Sequence, residues 1–357
     1  MSRFQEPHWT FHPFGKPFRM MLPKGSHLSS KQLDLLNTFE ETLAERLKKL
    51  KPSNREDVLC LAWMTSATQA LCETHADIKT LITALELPVR DWDEKWIDIY
   101  LSNSMKLLDI CLAFSSELSR LRQGHLFLTC ALHHLKGASS KKYMEACSSL
   151  DEWNRFFIGS KNPRLQECFS VMDNLAKTID IPKIKNSSKG KVLMRAMYGV
   201  KALTLLVCSS FAAAFYCSEK KLIDLQVPET CLWAKAFMDL QNFVNNEIRN
   251  GCSKGMFTTV LKELEDVCRI VNKLYPIVRD GVKAPIEGEI TLLKVTSDLE
   301  KSDEKLYRGL NELGNEVDIF FKVILSGRDA LLCNLRFVGN VFDEVRTIGN
   351  TRGQAVR

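Results

Sequence analysis

One stretch limits the folds open to this chain more than any other: Lys183 to Ser218, KIKNSSKGKVLMRAMYGVKALTLLVCSSFAAAFYCS. Lys183, Lys185, Lys189, Lys191, Arg195 and Lys201 make its first part basic with no acid among them, whereas Ala202 to Ser218 is 17 residues without a charge. A helix apolar on every side, here carried by Leu203, Leu205, Leu206, Val207, Phe211 and Phe215, belongs in the centre of a large core or in a membrane. At about 1.5 Å of rise per residue the uncharged part is roughly 25 Å long, short of the roughly 30 Å of a hydrocarbon layer. Extending it back to Ala196 gives a segment, 196–218, of sufficient length. That extension takes in Lys201, whose ammonium would have to reach a headgroup. Thr204, Ser209, Ser210 and four alanines weaken its lipophilicity further. The stretch therefore reads as a central hydrophobic core helix, with a single membrane span or an interfacial helix as the alternatives.

A core helix needs a core around it, and the composition supplies one. The chain has 357 residues, 45% of them hydrophobic, enough for one large or two medium domains. Eleven prolines and 17 glycines are too few for a disordered or fibrous protein. The formal charge of +6 is a mild excess, and Lys and Arg mostly interleave with Asp and Glu on helical faces. Twelve cysteines occur without a secretory signal or a CxxC pair, and most fall on apolar helical positions, which indicates a reduced protein using Cys as a small core residue.

Residues 1–30 have no helical period and form an extended Pro/aromatic arm with four prolines and five aromatics, in which Phe11, Pro13, Phe14, Pro17, Phe18 and Arg19 are the candidate docking residues. A plastid transit peptide is the alternative, since the segment is basic and its single acid is Glu6. From Ser30 the pattern is helical. Leu36, Phe39, Leu43, Leu47 and Leu50 mark a first helix stopped by Pro52, and Ser53 with Glu56 makes a capping-box pattern for a second that ends by Pro88. A third is expected from about Asp91 to Arg122, closed by Gly124 and joined to the first two as an antiparallel unit. Shorter helices follow at about 126–135, 141–157 and 163–179. Beyond the central stretch, 229–250 and 254–274 read as a hairpin around Gly251 and Cys252, with Pro276 as a stop. From Gly288 to about Leu335, the residues Leu306, Leu310, Leu313, Val317, Phe320 and Ile324 make a heptad seam. No window alternates as a strand does. The fold class is all-α, a multi-helix bundle of long antiparallel helices: a single elongated bundle over 31–340, with sub-units 31–180 and 181–340 as a subdivision, and a flexible tail at 341–357.

The search for chemistry is mostly negative. The phosphate-loop, nucleotide-fold, nucleophile-elbow and helix-borne zinc motifs are all missing, so no catalytic residue and no cofactor is indicated. Cys72 with His75 and Cys130 with His133 have Cys-x-x-His spacing, yet each lies in a periodic helix where packing already explains the Cys, so no metal is expected. Glu40 and Glu41 near Arg46, and the acids of 298–304, are spaced as surface charges. The cluster Lys183, Lys185, Lys189, Lys191, Arg195 and Lys201 is the candidate contact surface for an anionic membrane or an acidic protein face. Nucleic acid is not indicated, because stacking aromatics beyond Tyr198 are missing there.

The arm FHPFGKPFRMMLPKGS (11–26), LCETHADIKTLITALELPVRDWDEKWIDIYL (71–101), KNSSKGKVLMRAMYGVKALT (185–204) and SGRDALLCNLR (326–336) together resemble the plant BYPASS family, whose relatives include exocyst-interacting ROH-type proteins. The resemblance implies a plant protein without established enzymatic activity that regulates root and shoot development by restraining a root-derived mobile growth-arresting signal. It implies protein partners of exocyst or signalling type, and roles in stress responses. The expected location is cytoplasmic or peripheral on endomembranes, with the plastid as the alternative. Two other functions stay open: a small-molecule binder or enzyme acting on the mobile signal or its precursor, and a single-span protein of endomembrane trafficking.

Overall fold

The computed structural model describes residues 28–86, 95–137, 140–159, 162–179, 188–217, 222–253, 259–279 and 286–352. Among them nine α-helices and one 3-10 turn account for the regular structure, and no strand occurs. Helix α1 (Ser30–Leu50) opens on a capping box in which Ser29 Oγ accepts from the Gln32 N–H at 3.3 Å and Gln32 Oε1 accepts from the Ser29 N–H at 3.1 Å. Its seam of Leu36, Phe39, Leu43, Leu47 and Leu50 is buried as expected.

Helix α2 (Leu61–Ala84) starts later than the Ser53/Glu56 pattern indicated, after a 3-10 turn at Arg55–Asp57. Its first N–H groups find partners that no local pattern shows. Cys60 Sγ accepts from Trp63 at 3.4 Å, and the buried carboxylate of Glu263 accepts from the Leu61 N–H at 3.1 Å. Helix α3 (Lys95–Leu135) absorbs two expected elements, because Gly124 does not end it. A Cβ at Gly124 would lie 3.3 Å from Phe157, so the missing side chain lets α4 (Ser140–Gly159) approach α3.

Then come α5 (Pro163–Lys177), α6 (Ser188–Tyr216), α7 (Ala234–Ser253), α8 (Lys262–Arg279) and α9 (Ile286–Arg352). Gly251 and Cys252 belong to the last turn of α7 and not to a hairpin loop. Pro276 lies inside α8, three residues before its end, where its missing N–H forfeits one backbone bond. The α9 seam from Leu306 to Ile324 is buried as its heptads require, and the helix continues past Gly339, where the sequence pattern fades, to Arg352.

Contacts along the helices give their directions. Trp63 Nε1 donates to the Leu50 carbonyl at 2.9 Å while Arg46 reaches Glu73 and Asp77, so α1 and α2 are antiparallel. Helices α3 and α9 are antiparallel too, pairing Leu101 with Arg328 and Lys136 with Glu300. In contrast α9 runs parallel to α2, with Gly309 against Leu61 and Phe320 against His75. A Cβ at Gly309 would sit 2.7 Å from Leu61 Cδ1, so α9 packs tightly on α2 and the expected three-helix unit is completed by an element over 200 residues downstream.

Helix α6 lies at the centre, against α1, α2, α5 and α7. Every residue from Ala202 to Phe215 is buried, including Leu203, Leu205, Leu206, Val207, Phe211 and Phe215. Its buried hydroxyls are satisfied within the helix: Thr204 donates to the Val200 carbonyl at 2.8 Å, and Ser209 and Ser210 to that of Leu206 at 3.2 and 2.7 Å. Among the described residues α6 is the one helix long and apolar enough to cross a membrane, and here its surface is covered by the other helices. Burial in the bundle accounts for its composition without a bilayer.

Candidate functional site

Between α2, α3, α5 and α6, closed at one side by Ile324 of α9, lies a cavity of about 440 Å³. That volume falls within the roughly 300–1,000 Å³ of small-molecule sites. Its lining runs along α6 from Met194 to Leu205, about 16 Å at helical rise, and along α3 from Asp98 to Leu107. Ile78, Ile99, Leu175, Met197 and Val200 make most of the wall apolar, and polar groups enter singly.

Thr204 is buried among them, and His75 is half-buried. Burial lowers its pKa from 6.5 to about 4, so the ring is neutral near pH 7. Its Nε2 lies 3.4 Å from Thr204 Oγ1, and its ring meets that of Phe320 edge to face at 5.2 Å. Because the Thr204 hydroxyl proton is already given to Val200, that hydroxyl serves as acceptor, not as a nucleophile activated by the imidazole. Burial likewise raises the Tyr100 phenol, which stays protonated.

Two lysines reach one edge of the cavity from different helices. Lys106 of α3 donates to Asn174 Oδ1 at 2.8 Å, and Lys201 of α6 donates to the carbonyl and hydroxyl of Thr178 at 2.5 and 2.9 Å. Asn174 and Thr178 are one helical turn apart at the C-terminal end of α5, where exposed carbonyls favour cations. Asp98, exposed, is the acid among the described lining residues.

The other expected contact residues divide. The arm residues Phe11, Pro13, Phe14, Pro17, Phe18 and Arg19 lie outside the described residues, as do Lys183 and Lys185. Lys189 is 3.8 Å from Glu86, and Lys191 is half-buried on the first turn of α6. Arg195 turns inward: its guanidinium forks onto the fully buried carboxylate of Glu40 in α1 and also donates to the Thr230 carbonyl. Lys201 closes α5 as described. Of the four that are described, Arg195 and Lys201 are engaged within the fold and Lys189 lies near Glu86. Of the two Cys-x-x-His pairs, Cys72 and His75 lie half-buried in the core region while Cys130 and His133 are exposed. Among the described residues no three His, Cys, Asp or Glu side chains stand where a metal could be held. The described cysteines are free thiols, and burial pushes Cys72 and Cys168 up to about 12, which leaves them unreactive.

Two acids expected on the surface prove buried. Glu40 is 1% exposed and also accepts from the Leu232 N–H at 2.8 Å, tying α1, α6 and the segment before α7 together. Asp303 of α9 is 2% exposed, takes His125 Nδ1 at 2.7 Å, and keeps Oδ1 without a partner among the described residues. His125 in turn stacks on Tyr307 at 4.2 Å. Burial raises Asp303 from 3.8 to about 6, against the opposing pull of His125. Below about pH 4 the carboxyl is protonated in folded and unfolded chains alike, between the two values the fold alone holds the proton, and above 6 the fold carries the cost of a buried carboxylate. Asp303→Asn removes that cost. The variant is expected to unfold at a higher temperature than wild type at pH 7.5, by the equivalent of about 2 kcal/mol, with the gap closing toward pH 5. Thermal melts across that range check it, and a gap that widened on acidification would contradict the assignment.

Comparison with known proteins decides the family. The model of the Protein ROH1-like family matches residues 19–141 and 169–333. The chain belongs to the ROH1-like, or BYPASS, family. It is 50% identical to Protein BPS1, chloroplastic, of Arabidopsis thaliana over 95% of this chain and 94% of that protein. It is 44% identical to UPF0496 protein 4 of Oryza sativa subsp. japonica over 94% and 97%, and 22% identical to Protein ROH1D of Arabidopsis thaliana over 83% and 87%. No solved structure matches. The ROH1-like match begins inside the arm and spans both sides of the cavity, so the cavity belongs to the family's shared region. Sequence reading missed Lys106 and Met197 as lining residues, because only tertiary packing brings α3 and α6 to the end of α5.

Proposed function

We propose that this BYPASS-family member is a non-enzymatic helical regulator of plant root and shoot development that acts by binding, and restrains a root-derived mobile growth-arresting signal. The observation that carries this reading is the state of its acid–base groups. Glu40 is engaged by Arg195, Glu117 by Arg120 at 2.6 Å and Asp303 by His125, while His75 is neutral near pH 7 beside a threonine that does not serve as nucleophile. Each is engaged inside the fold, and general acid–base work calls for a group free to exchange protons with a substrate. Protein partners of exocyst or signalling type would meet the Pro/aromatic arm, and Lys183, Lys185, Lys189 and Lys191 would add attraction to an anionic surface. The name of the Arabidopsis relative supports the plastid alternative for location over the cytoplasmic one.

Grafting tests the role directly. Roots lacking this gene are expected to arrest a wild-type shoot grafted above them, and mutant shoots on wild-type roots are expected to grow; normal shoots on mutant roots would remove the proposal. In parallel, the purified full chain incubated with root extract should leave every metabolite unchanged by mass spectrometry, whereas time-dependent loss of one would mean an enzyme.

A second reading is favoured by the cavity itself. At about 440 Å³, with an apolar wall and few polar groups, it has the size and character of a small-molecule site, so the regulator would take its input from a bound ligand.

A further inference from the structure

We infer that the cavity between α2, α3, α5 and α6 takes a neutral, largely apolar small molecule with one hydroxyl, which donates its hydrogen bond to Nδ1 of His75. The inference rests on reading that cavity as a small-molecule site. The acceptor follows from how the imidazole is already used. Its Nε2 lies 3.4 Å from Thr204 Oγ1, and the Thr204 proton is given to the Val200 carbonyl at 2.8 Å. Nε2 must therefore be the donor of that pair. In a neutral ring Nδ1 then keeps a bare lone pair, and no hydrogen bond among the described residues uses it.

The open surface of the ring belongs to the cavity. Thr204 of α6 and Phe320 of α9 flank it, and desolvation among these helices lowers its pKa to about 4. Yet His75 is only half-buried, and it lines the cavity with Ile78, Val200 and Ile324. A ring held among α2, α6 and α9 and still accessible is accessible from the space they enclose. The head group that fits there is a neutral donor. A carboxylate would bring its own lone pairs against that of Nδ1, and an ammonium would lose its hydration beside an apolar wall. An amide would add a carbonyl that needs a donor of its own, whereas a hydroxyl needs only the one acceptor. The remainder of the molecule is apolar because Ile78, Val200 and Ile324 are what it would touch.

Octanol and heptyl methyl ether separate the parts of this proposal, since they are isomers of equal length and only the alcohol can donate. In calorimetric titrations of the full chain, octanol is expected to bind one-to-one and about fivefold more tightly than the ether, the scale of one neutral hydrogen bond. In His75→Phe, which keeps a ring against Phe320, the alcohol should bind no more tightly than the ether. Met197→Trp should fill the slot and abolish binding of both. Nitrogen NMR of histidine-labelled wild type decides even if a variant does not fold: octanol should shift the Nδ1 resonance of His75, and the ether should not. Binding of neither probe would overturn the cavity reading itself. Ether binding as tight as that of octanol, with Nδ1 unmoved, would overturn the hydroxyl head alone and leave the cavity as an apolar site. A preference for octanol that survives in folded His75→Phe would place the acceptor on another group, such as the Asn103 amide of the wall, and overturn the assignment to His75. Binding unaffected by Met197→Trp in a folded variant would put the ligand elsewhere and overturn both.

Discussion

Replacing Glu40 by Ala is expected to cost the fold about 3–5 kcal/mol, because it strips a buried cation of its partner and orphans a backbone donor at the same time. The Glu40 carboxylate is 1% exposed and accepts two donors of Arg195 as well as the Leu232 N–H. Arg195 is 21% exposed, so water reaches it only in part and cannot replace what is lost. The pair joins α1, α6 and the segment leading into α7, three parts of the chain separated by 155 and 192 residues from Glu40. A contrast isolates burial as the cause. Arg308 and Glu304 form an i,i+4 pair on α9 with side chains 68% and 70% exposed, and Arg308→Ala should cost less than about 1 kcal/mol. Replacing Glu40 and Arg195 together by methionine should recover much of the single-variant loss, since the desolvation of both charges disappears with them. Urea unfolding of the four proteins measures this. A Glu40→Ala cost no larger than that of Arg308→Ala would mean the pair is a bystander.

The same residue shows where sequence reading stops. The seams of α1 and α9 are legible because their apolar residues recur at three and four, and they are buried as that period requires. Charges near such seams were read as solvent-facing, yet Glu40 is four residues after Leu36 and three before Leu43, and Asp303 is four after Leu299 and three before Leu306. An acid at that phase lies on the buried face, so a signal was available in the spacing. Its partner was not, since Arg195 and His125 arrive from helices that only tertiary packing brings near. Gly124 and Pro276 misled for a related reason. Both are helix-ending residues by local rule, and both sit in helices held by packing on neighbours. The cavity is harder still. Its lysine edge needs α3, α5 and α6 at once, and no periodicity in one segment reports a void between three.

Phe211→Ala, the second large effect, separates the core helix from the membrane span that the Ala196–Ser218 segment also permits by length. Phe211 is 2% exposed in the middle of α6, with the Trp63 ring of α2 edge-on at 6.3 Å and the Phe114 ring of α3 tilted at 5.7 Å. Truncation would empty the space where three helices meet, and buried Phe→Ala changes cost about 3–5 kcal/mol, with about 0.5–1.5 of that from each aromatic contact. The urea midpoint should fall with an unchanged slope, as for loss of packing in a chain that unfolds as one unit. Leu112→Ala on the exposed face of α3, where Leu112 is 50% exposed, should change stability by less than about 0.5 kcal/mol. Had α6 been surrounded by lipid, Phe211 would have no Trp63 or Phe114 to lose, and its truncation would leave the unfolding of the other helices untouched. Phe211 and Arg195 are 16 residues apart on one helix, about 24 Å. The costs of Phe211→Ala and Glu40→Ala should therefore add within about 0.5 kcal/mol, and strong non-additivity would show that α6 responds to both as a single strained element.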